Sequence, residues 1–445
     1  MGGGDRLNAW GVGKHWVRWV AKHGVARIGF RALSKRGDPY AQLMTDAGGS
    51  GDPYPAIERI RANGPLASGL AGLITADHEI SREVLRDKRF VTLAIGNLPL
   101  PKTIKWIFRA TEPGLPNPVE SPAMLAVDPP VHTRYRKLVS RAFTPRALAA
   151  LDTRIREVTE QLLDDLAGKP QVDLVADYAA KLPVAIIAEM LGVPLEHAPK
   201  LLKWGGHGSV LLDVGISWGA YRQASDSLVA FDHFLDEHIA SLRASRNDGI
   251  LGTVIAEGDL NPRELKVTAA LLLGAGFETT VNLIGNGIVA LQRHPDQLDA
   301  LRSDPSLWPN AIEEILRFDS PVQLTGRVAK DRIELSQKII EKGEVVVTLL
   351  GGANRDPAVF ANPDKFDVAR DNARDHLAFS SGVHVCLGAS LARMEGIIAL
   401  QSLTERYPDL RLTGPPVHRG LVNLHGYEQL PAQVGTRSRA ITQAD

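Results

Sequence analysis

Cysteine is nearly missing from these 445 residues: Cys386 stands alone. One thiol excludes an intramolecular disulfide and any zinc site that needs two thiolates, and it makes a reduced, cytoplasmic setting the natural one. A charge surplus is missing too. Lys plus Arg is 51 and Asp plus Glu is 51, so no global field draws the chain to a polyanion, and no nucleic-acid partner is expected. Nucleotide-binding signatures are also lacking. No Walker A sequence occurs, Gly274-Ala-Gly276-Phe-Glu-Thr279 has Thr279 where a dinucleotide fingerprint needs its third glycine, and His78-Glu79 lacks the second histidine of a zincin helix. Long apolar runs are scarce. Only Val267 to Leu291 approaches the ~20 residues of a membrane span, and Glu278 near its middle makes a crossing costly. A long helix buried in a soluble protein accounts for it better, and no transmembrane segment is expected.

What is present is a globular balance, with 44% apolar and 23% charged residues. The first 36 residues stand out. They hold eight basic residues (Arg6, Lys14, Arg18, Lys22, Arg27, Arg31, Lys35, Arg36) against Asp5 alone, interleaved with Trp10, Trp16 and Trp19. An interfacial helix touching anionic lipid is one reading, giving weak peripheral membrane contact. A basic surface helix leading into the fold is the simpler one. No apolar h-region follows, which speaks against a signal peptide.

Eight prolines between Pro99 and Pro130 predict a long irregular loop, because each fixes φ and removes an N–H donor. Most of the rest reads as helix. Thr144-Pro145 opens a run to about Leu166, and Asn261-Pro262 with Glu264 caps a helix that can extend to about His294, ~48 Å at 1.5 Å per residue. Strands are expected at Leu66 to Thr75 and as a hairpin over Ile333 to Leu350, turning near Glu341–Gly343. The fold class is mainly α with a small β part.

The lone cysteine lies in Phe379-Ser-Ser-Gly382-Val-His384-Val-Cys386-Leu-Gly388, just before a helix expected from about Ala389 to Arg406. A helix N-terminus favours a thiolate, and the flanking glycines let a flat, bulky ligand approach the backbone. That suits a cofactor needing one axial protein ligand, such as haem iron; a buried structural cysteine is the alternative.

This segment resembles the cysteine-ligand loop of the cytochromes P-450, the haem-thiolate monooxygenases. Phe379, Gly382, His384, Cys386 and Gly388 meet all its fixed positions; Ser380 stands where many members have glycine. Ala275 to Thr279 resembles the oxygen-binding stretch of the family's long central helix, and Glu314-Ile-Leu-Arg317 with Arg370 resembles its structural Glu-x-x-Arg and third member. The resemblance spans roughly Leu66 to the C-terminal region. It is closest to the soluble bacterial type.

The basic residues set off an N-terminal segment, residues 1–40, and the resemblance implies one large domain, 41–445, with a long central helix. It implies haem b (iron protoporphyrin IX), bound by Cys386 as the metal ligand with Phe379 and Gly388 beside it. His132, Arg136, Arg327 and His384 would contact the propionates, whose carboxylates suit arginine forks. Glu278 and Thr279 would be the catalytic acid–alcohol pair that delivers protons. The implied reaction inserts one atom of O2 into an apolar small molecule, with electrons from a separate ferredoxin and NAD(P)H-dependent ferredoxin reductase. Arg134, Lys137 and Arg141 would face an acidic redox partner or only solvent. Trp106, Ile107, Phe108 and the stretch Leu195 to Phe234 are expected to roof the pocket. Two rivals remain: a peroxide-driven or ligand-binding haem protein without O2 activation, and a cysteine hydrolase using Cys386 with His384 as base.

Overall fold

The computed structural model describes residues 9–45, 51–70, 72–244 and 249–435. Its axis is the helix Pro262–Arg293, the only one among the described residues long and apolar enough to cross a membrane. It is instead buried inside the protein. Its start is the capping box the sequence predicts: Asn261 Oδ1 accepts from the Glu264 N–H at 3.0 Å, and the Glu264 carboxylate accepts from the Asn261 N–H at 3.0 Å. Thr144 likewise caps the helix Pro145–Leu166, its hydroxyl accepting from the Ala147 N–H at 3.3 Å.

The helices Lys181–Met190, Ala198–Ser209 and Ala389–Arg406 pack on the central helix. The last runs alongside it in the same direction. Glu395 sits by Thr280, Gly396 against Leu283, and Leu400 against Gly287, where any β-carbon would collide with that leucine. The start of Ala389–Arg406, and Cys386 three residues before it, is therefore carried toward the segment Gly274–Thr279.

Glu395 is fully buried in this contact, and burial pushes its carboxyl up to about 8, against the Thr280 hydroxyl that favours the ionised form. Between about 4.5, where the unfolded chain loses this proton, and about 8, the folded state keeps it. Stability then falls as pH rises, by up to about 1.4 kcal/mol per pH unit, and the slope ends above the folded value. Urea unfolding from pH 5 to pH 9 is expected to show this decline, and Glu395→Gln to remove it. A decline of equal slope in both proteins would contradict the assignment.

A five-stranded sheet forms the β part, in the order 67–69, 72–75, 345–349, 324–329, 90–92. Its outer pairing sets Thr92 opposite Arg327. Two expectations are corrected here. The hairpin in 333–350 turns at Ser336–Gln337, both at positive φ (49° and 62°), and not at Glu341–Gly343. The strand Val345–Leu349 pairs instead with 72–75 and 324–329. The proline-rich stretch is not irregular throughout: Lys102–Ala110 is a helix, because its nine residues contain no proline and Pro101 precedes them. Leu66–Thr75 divides into two antiparallel strands.

The buried pair Glu314–Arg317, bonded at 2.7 and 2.9 Å, is joined by Arg370 at 3.1 Å. Arg317 also donates to the carbonyls of Asn354 and Pro363 at 3.0 and 2.8 Å. Neither Glu314 nor Arg317 is exposed, so the trio ties the segments leading to the cysteine loop and touches no pocket.

Candidate active site

The cysteine loop is closed by its own backbone, the Cys386 N–H donating to the Phe379 carbonyl at 2.9 Å. Gly382 has φ +70°, and a β-carbon there would strike the Leu85 carbonyl oxygen, so only glycine fits. Ser380 has φ +61°, which explains why glycine is favoured at this position in the resembled pattern. Phe379 stacks beneath the Arg393 guanidinium, 4.6 Å from its ring centre.

Cys386 is surrounded by protein yet its residue surface is open, as for a side chain lining a deep cleft. Burial pushes its thiol up, while the Gly388 N–H, Arg136 and Arg393 favour the thiolate. The helix end alone does not produce a free thiolate, contrary to the simplest reading of the sequence. Iron would, since a coordinating thiol is deprotonated outright.

The expected propionate group assembles from three elements. His132 on the helix Val131–Ser140 is 2% exposed, and its ring lies 4.2 Å from that of His384. Arg136, one turn on, donates to the Val385 carbonyl at 2.7 Å. Arg327, 7% exposed, bonds only Thr325 Oγ1 and the Gly326 carbonyl, with no carboxylate in ion-pair range among the described residues. Burial pulls its pKa down to about 10, and His132 down to about 4 for the same reason, with His384 and Arg136 adding to it. His384 Nε2 has no hydrogen-bond partner. A buried guanidinium without an anion, and an imidazole nitrogen with no hydrogen bond and its nearest carboxylate 3.9 Å away, leave room for further carboxylates, and haem brings two.

Asp128 is a member of this group that sequence reasoning missed. It accepts from the Thr92 N–H at 2.9 Å, the Thr92 hydroxyl at 3.0 Å and Asn97 at 3.0 Å, and lies 3.9 Å from His384. Its carboxyl is held at about 2 by these donors against the cost of burial. Its position beside Pro129-Pro130 and before His132 was the available signal.

On the central helix, Ala275 is exposed and Gly274, Gly276 and Thr279 partly so, an open patch in an otherwise buried segment. A β-carbon on Gly274 would meet nothing within 4 Å. The Thr279 hydroxyl donates to the Ala275 carbonyl at 3.1 Å, the local bond its position suggests. Glu278 is 4% exposed, and Arg419, distant in sequence, pairs with its Oε2. Burial raises the Glu278 carboxyl despite that pairing. Its Oε1 has no hydrogen-bond partner among the described residues and faces the backbone of Gly206, where a β-carbon would sit 3.8 Å away. No local signal marked Arg419.

The expected roof is partly corrected. Phe108 is buried, but Trp106 is 67% exposed and points outward. All three of Arg134, Lys137 and Arg141 are exposed; Arg134 pairs with Glu264 and Arg141 with Glu257, and Lys137 has no carboxylate in ion-pair range among the described residues. An open glycine-flanked sulfur beside unanswered buried cations fits a haem with two carboxylates. It does not fit a hydrolase, because His384 carries no bond to Cys386.

Comparison with known proteins agrees. The family model described as Cytochrome P450 matches residues 218–408. A Mycobacterium tuberculosis protein named as cytochrome P450 140 is 43% identical over 432 residues, covering 95% of this chain and 98% of that protein. Cytochrome P450 107B1 of Saccharopolyspora erythraea is 44% identical over 387 residues, covering 85% and 92%. The ligand-free structure of Mycobacterium smegmatis CYP164A2 matches with a TM-score of 0.79 at 35% identity, covering 88% of this chain and 99% of that one.

Proposed function

The chain belongs to the cytochrome P450 family, a haem b monooxygenase, and on that premise we propose that it inserts one atom of dioxygen into an apolar small molecule using Cys386, Glu278 and Thr279. Electrons come from a separate ferredoxin and its reductase. The observation that carries this reading is the pairing of one open thiol with an open patch on a buried helix, flanked by a half-bonded carboxyl.

Cys386 would hold the iron, with the Gly388 N–H turned to the sulfur. Arg327, His132, Arg136 and His384 would receive the propionates, and Asp128 would steady His384. Bound haem supplies the one-electron and oxygen-activating chemistry that no side chain here can provide. Glu278 keeps one oxygen on Arg419 and carries the proton on the other. Burial favours its protonated form and Arg419 its ionised form, which suits a residue that must both hold and release a proton. Thr279 presents a hydroxyl at the open patch, where it can pass that proton on. Gly274, Ala275 and the Thr279 methyl offer the substrate little besides apolar surface, which favours an apolar guest.

Reconstitution with a ferredoxin, its reductase and NADPH under isotopically labelled dioxygen tests this. The substrate is first chosen by screening apolar compounds for a shift of the haem absorption. One labelled oxygen per product molecule is expected. Unlabelled product, or equal turnover driven by peroxide alone, would favour the peroxide-driven rival.

A further inference from the structure

The N-terminal arm carries exposed apolar side chains on a basic rod. Its helices Ala9–Trp19 and Val25–Ser34 are joined by a wide π turn, Val20–Gly24, into one rod. One charged and polar stripe, Arg18, Lys22 and Arg27 with His15 and His23, faces the protein. Arg18, 4% exposed, donates to the Phe108 carbonyl at 2.7 Å and pairs with Glu120, which Lys22 also binds at 2.7 Å. Arg27 donates to the Gly215 carbonyl at 2.7 Å and Trp19 Nε1 to the Ile216 carbonyl at 3.0 Å. His23 is wholly buried.

Part of the apolar set packs inward, Phe30 fully and Trp19, Ala26 and Leu33 in part, but other large apolar side chains face outward. Trp16 is 51% exposed, Val25 67% and Ile28 72%. A π turn accommodates one extra residue, so Trp16 and Ile28 are separated by the equivalent of eleven α-helical residues, about 20° around the axis, with Val25 within about 80°. A surface helix that buries all of its apolar side chains leaves no such exposed stripe. A solvated basic face explains the exposed Arg31 and Arg36, but not why Trp16 and Ile28 are exposed beside them.

Charge narrows the choice of partner. No acidic residue occurs from Arg6 to Gly37. Arg31, Lys35 and Arg36 are exposed, with no carboxylate in ion-pair range among the described residues. The adjoining helix Lys102–Ala110, held to the arm through Phe108, adds exposed Trp106, Lys102 and Arg109. A second copy of the chain fits poorly, because a two-fold contact would set this patch on itself and cation against cation. Apolar side chains ringed by unanswered cations match an anionic lipid surface.

We propose that the outer face of the arm is a monotopic docking surface for an anionic bilayer, with Trp16, Val25 and Ile28 entering the headgroup region and Arg31, Lys35 and Arg36 meeting lipid phosphates. The proposal does not depend on the chemistry at Cys386.

Flotation of the full-length holoprotein with vesicles of phosphatidylglycerol and phosphatidylcholine in equal parts tests it, with pure phosphatidylcholine as control. The protein is expected to float with the anionic vesicles only, and less at high salt. The double variant Trp16→Glu/Ile28→Glu is expected to lower the partition coefficient at least tenfold. Arg31→Gln, Lys35→Gln and Arg36→Gln are expected to lower it about fivefold each. These positions are exposed, so thermal unfolding of the variants should match the parent. Failure to float with either vesicle, or equal flotation of parent and double variant, would overturn the proposal. So would a lipid-free dimer in analytical ultracentrifugation that the double variant dissolves, which would assign the face to a second copy.

Discussion

Cys386→Ala is expected to abolish monooxygenation, reducing product formation to background. The protein should stay folded. Cys386 is exposed, and substitutions away from the core generally cost within about 0.5 kcal/mol. Haem is expected to bind more weakly and not to vanish, because Arg327, His132, Arg136 and His384 remain to hold its carboxylates. On the proposed reading the variant separates two roles within one site, in which the sulfur would ligate the iron and the cations would anchor the carboxylates. Product formation above a tenth of the parent rate would mean that another residue ligates the metal. The chain has no second cysteine to do so.

Glu278→Gln should be the next most damaging change. A positioned general acid typically contributes about 10²–10⁴-fold, so turnover is expected to fall at least 10²-fold with haem content unchanged. The amide keeps the shape and can still meet Arg419, but it cannot hand over a proton. The solvent isotope effect should therefore grow, and Thr279→Ala should raise peroxide leakage for a related reason. Arg419→Gln acts differently. Removing the guanidinium takes away the one group that favours the ionised carboxylate, so the pKa of Glu278 rises and the alkaline limb of the pH–rate profile, where the acid loses its proton, moves to higher pH. Turnover by Glu278→Gln at more than half the parent rate would remove Glu278 from the proton path.

Signals local in sequence were the legible ones. Asn261, Pro262 and Glu264 announce the start of the central helix, as Thr144 and Pro145 announce another, because a cap is completed within four residues. The cysteine loop is equally compact, and even Ser380 showed its oddity before its positive φ explained it. What was missed is non-local or rests on backbone angles. Arg419 reaches Glu278 across 141 positions of the chain. The turn at Ser336–Gln337 uses left-handed conformations that neither residue type advertises. The helix Lys102–Ala110 was hidden by the prolines on both sides of it. The arm was legible as basic and tryptophan-rich, but the periodicity alone did not reveal its exposed apolar stripe, because the π turn shifts the register of the face.

The absorption spectrum of the reduced, carbon-monoxide-bound protein is the most direct test of whether sulfur 386 ligates a haem iron. The account predicts a Soret band displaced to long wavelength, as thiolate ligation requires, in protein purified from cells supplied with haemin. A band at the ordinary position of nitrogen-ligated haem, or a colourless protein, would contradict it.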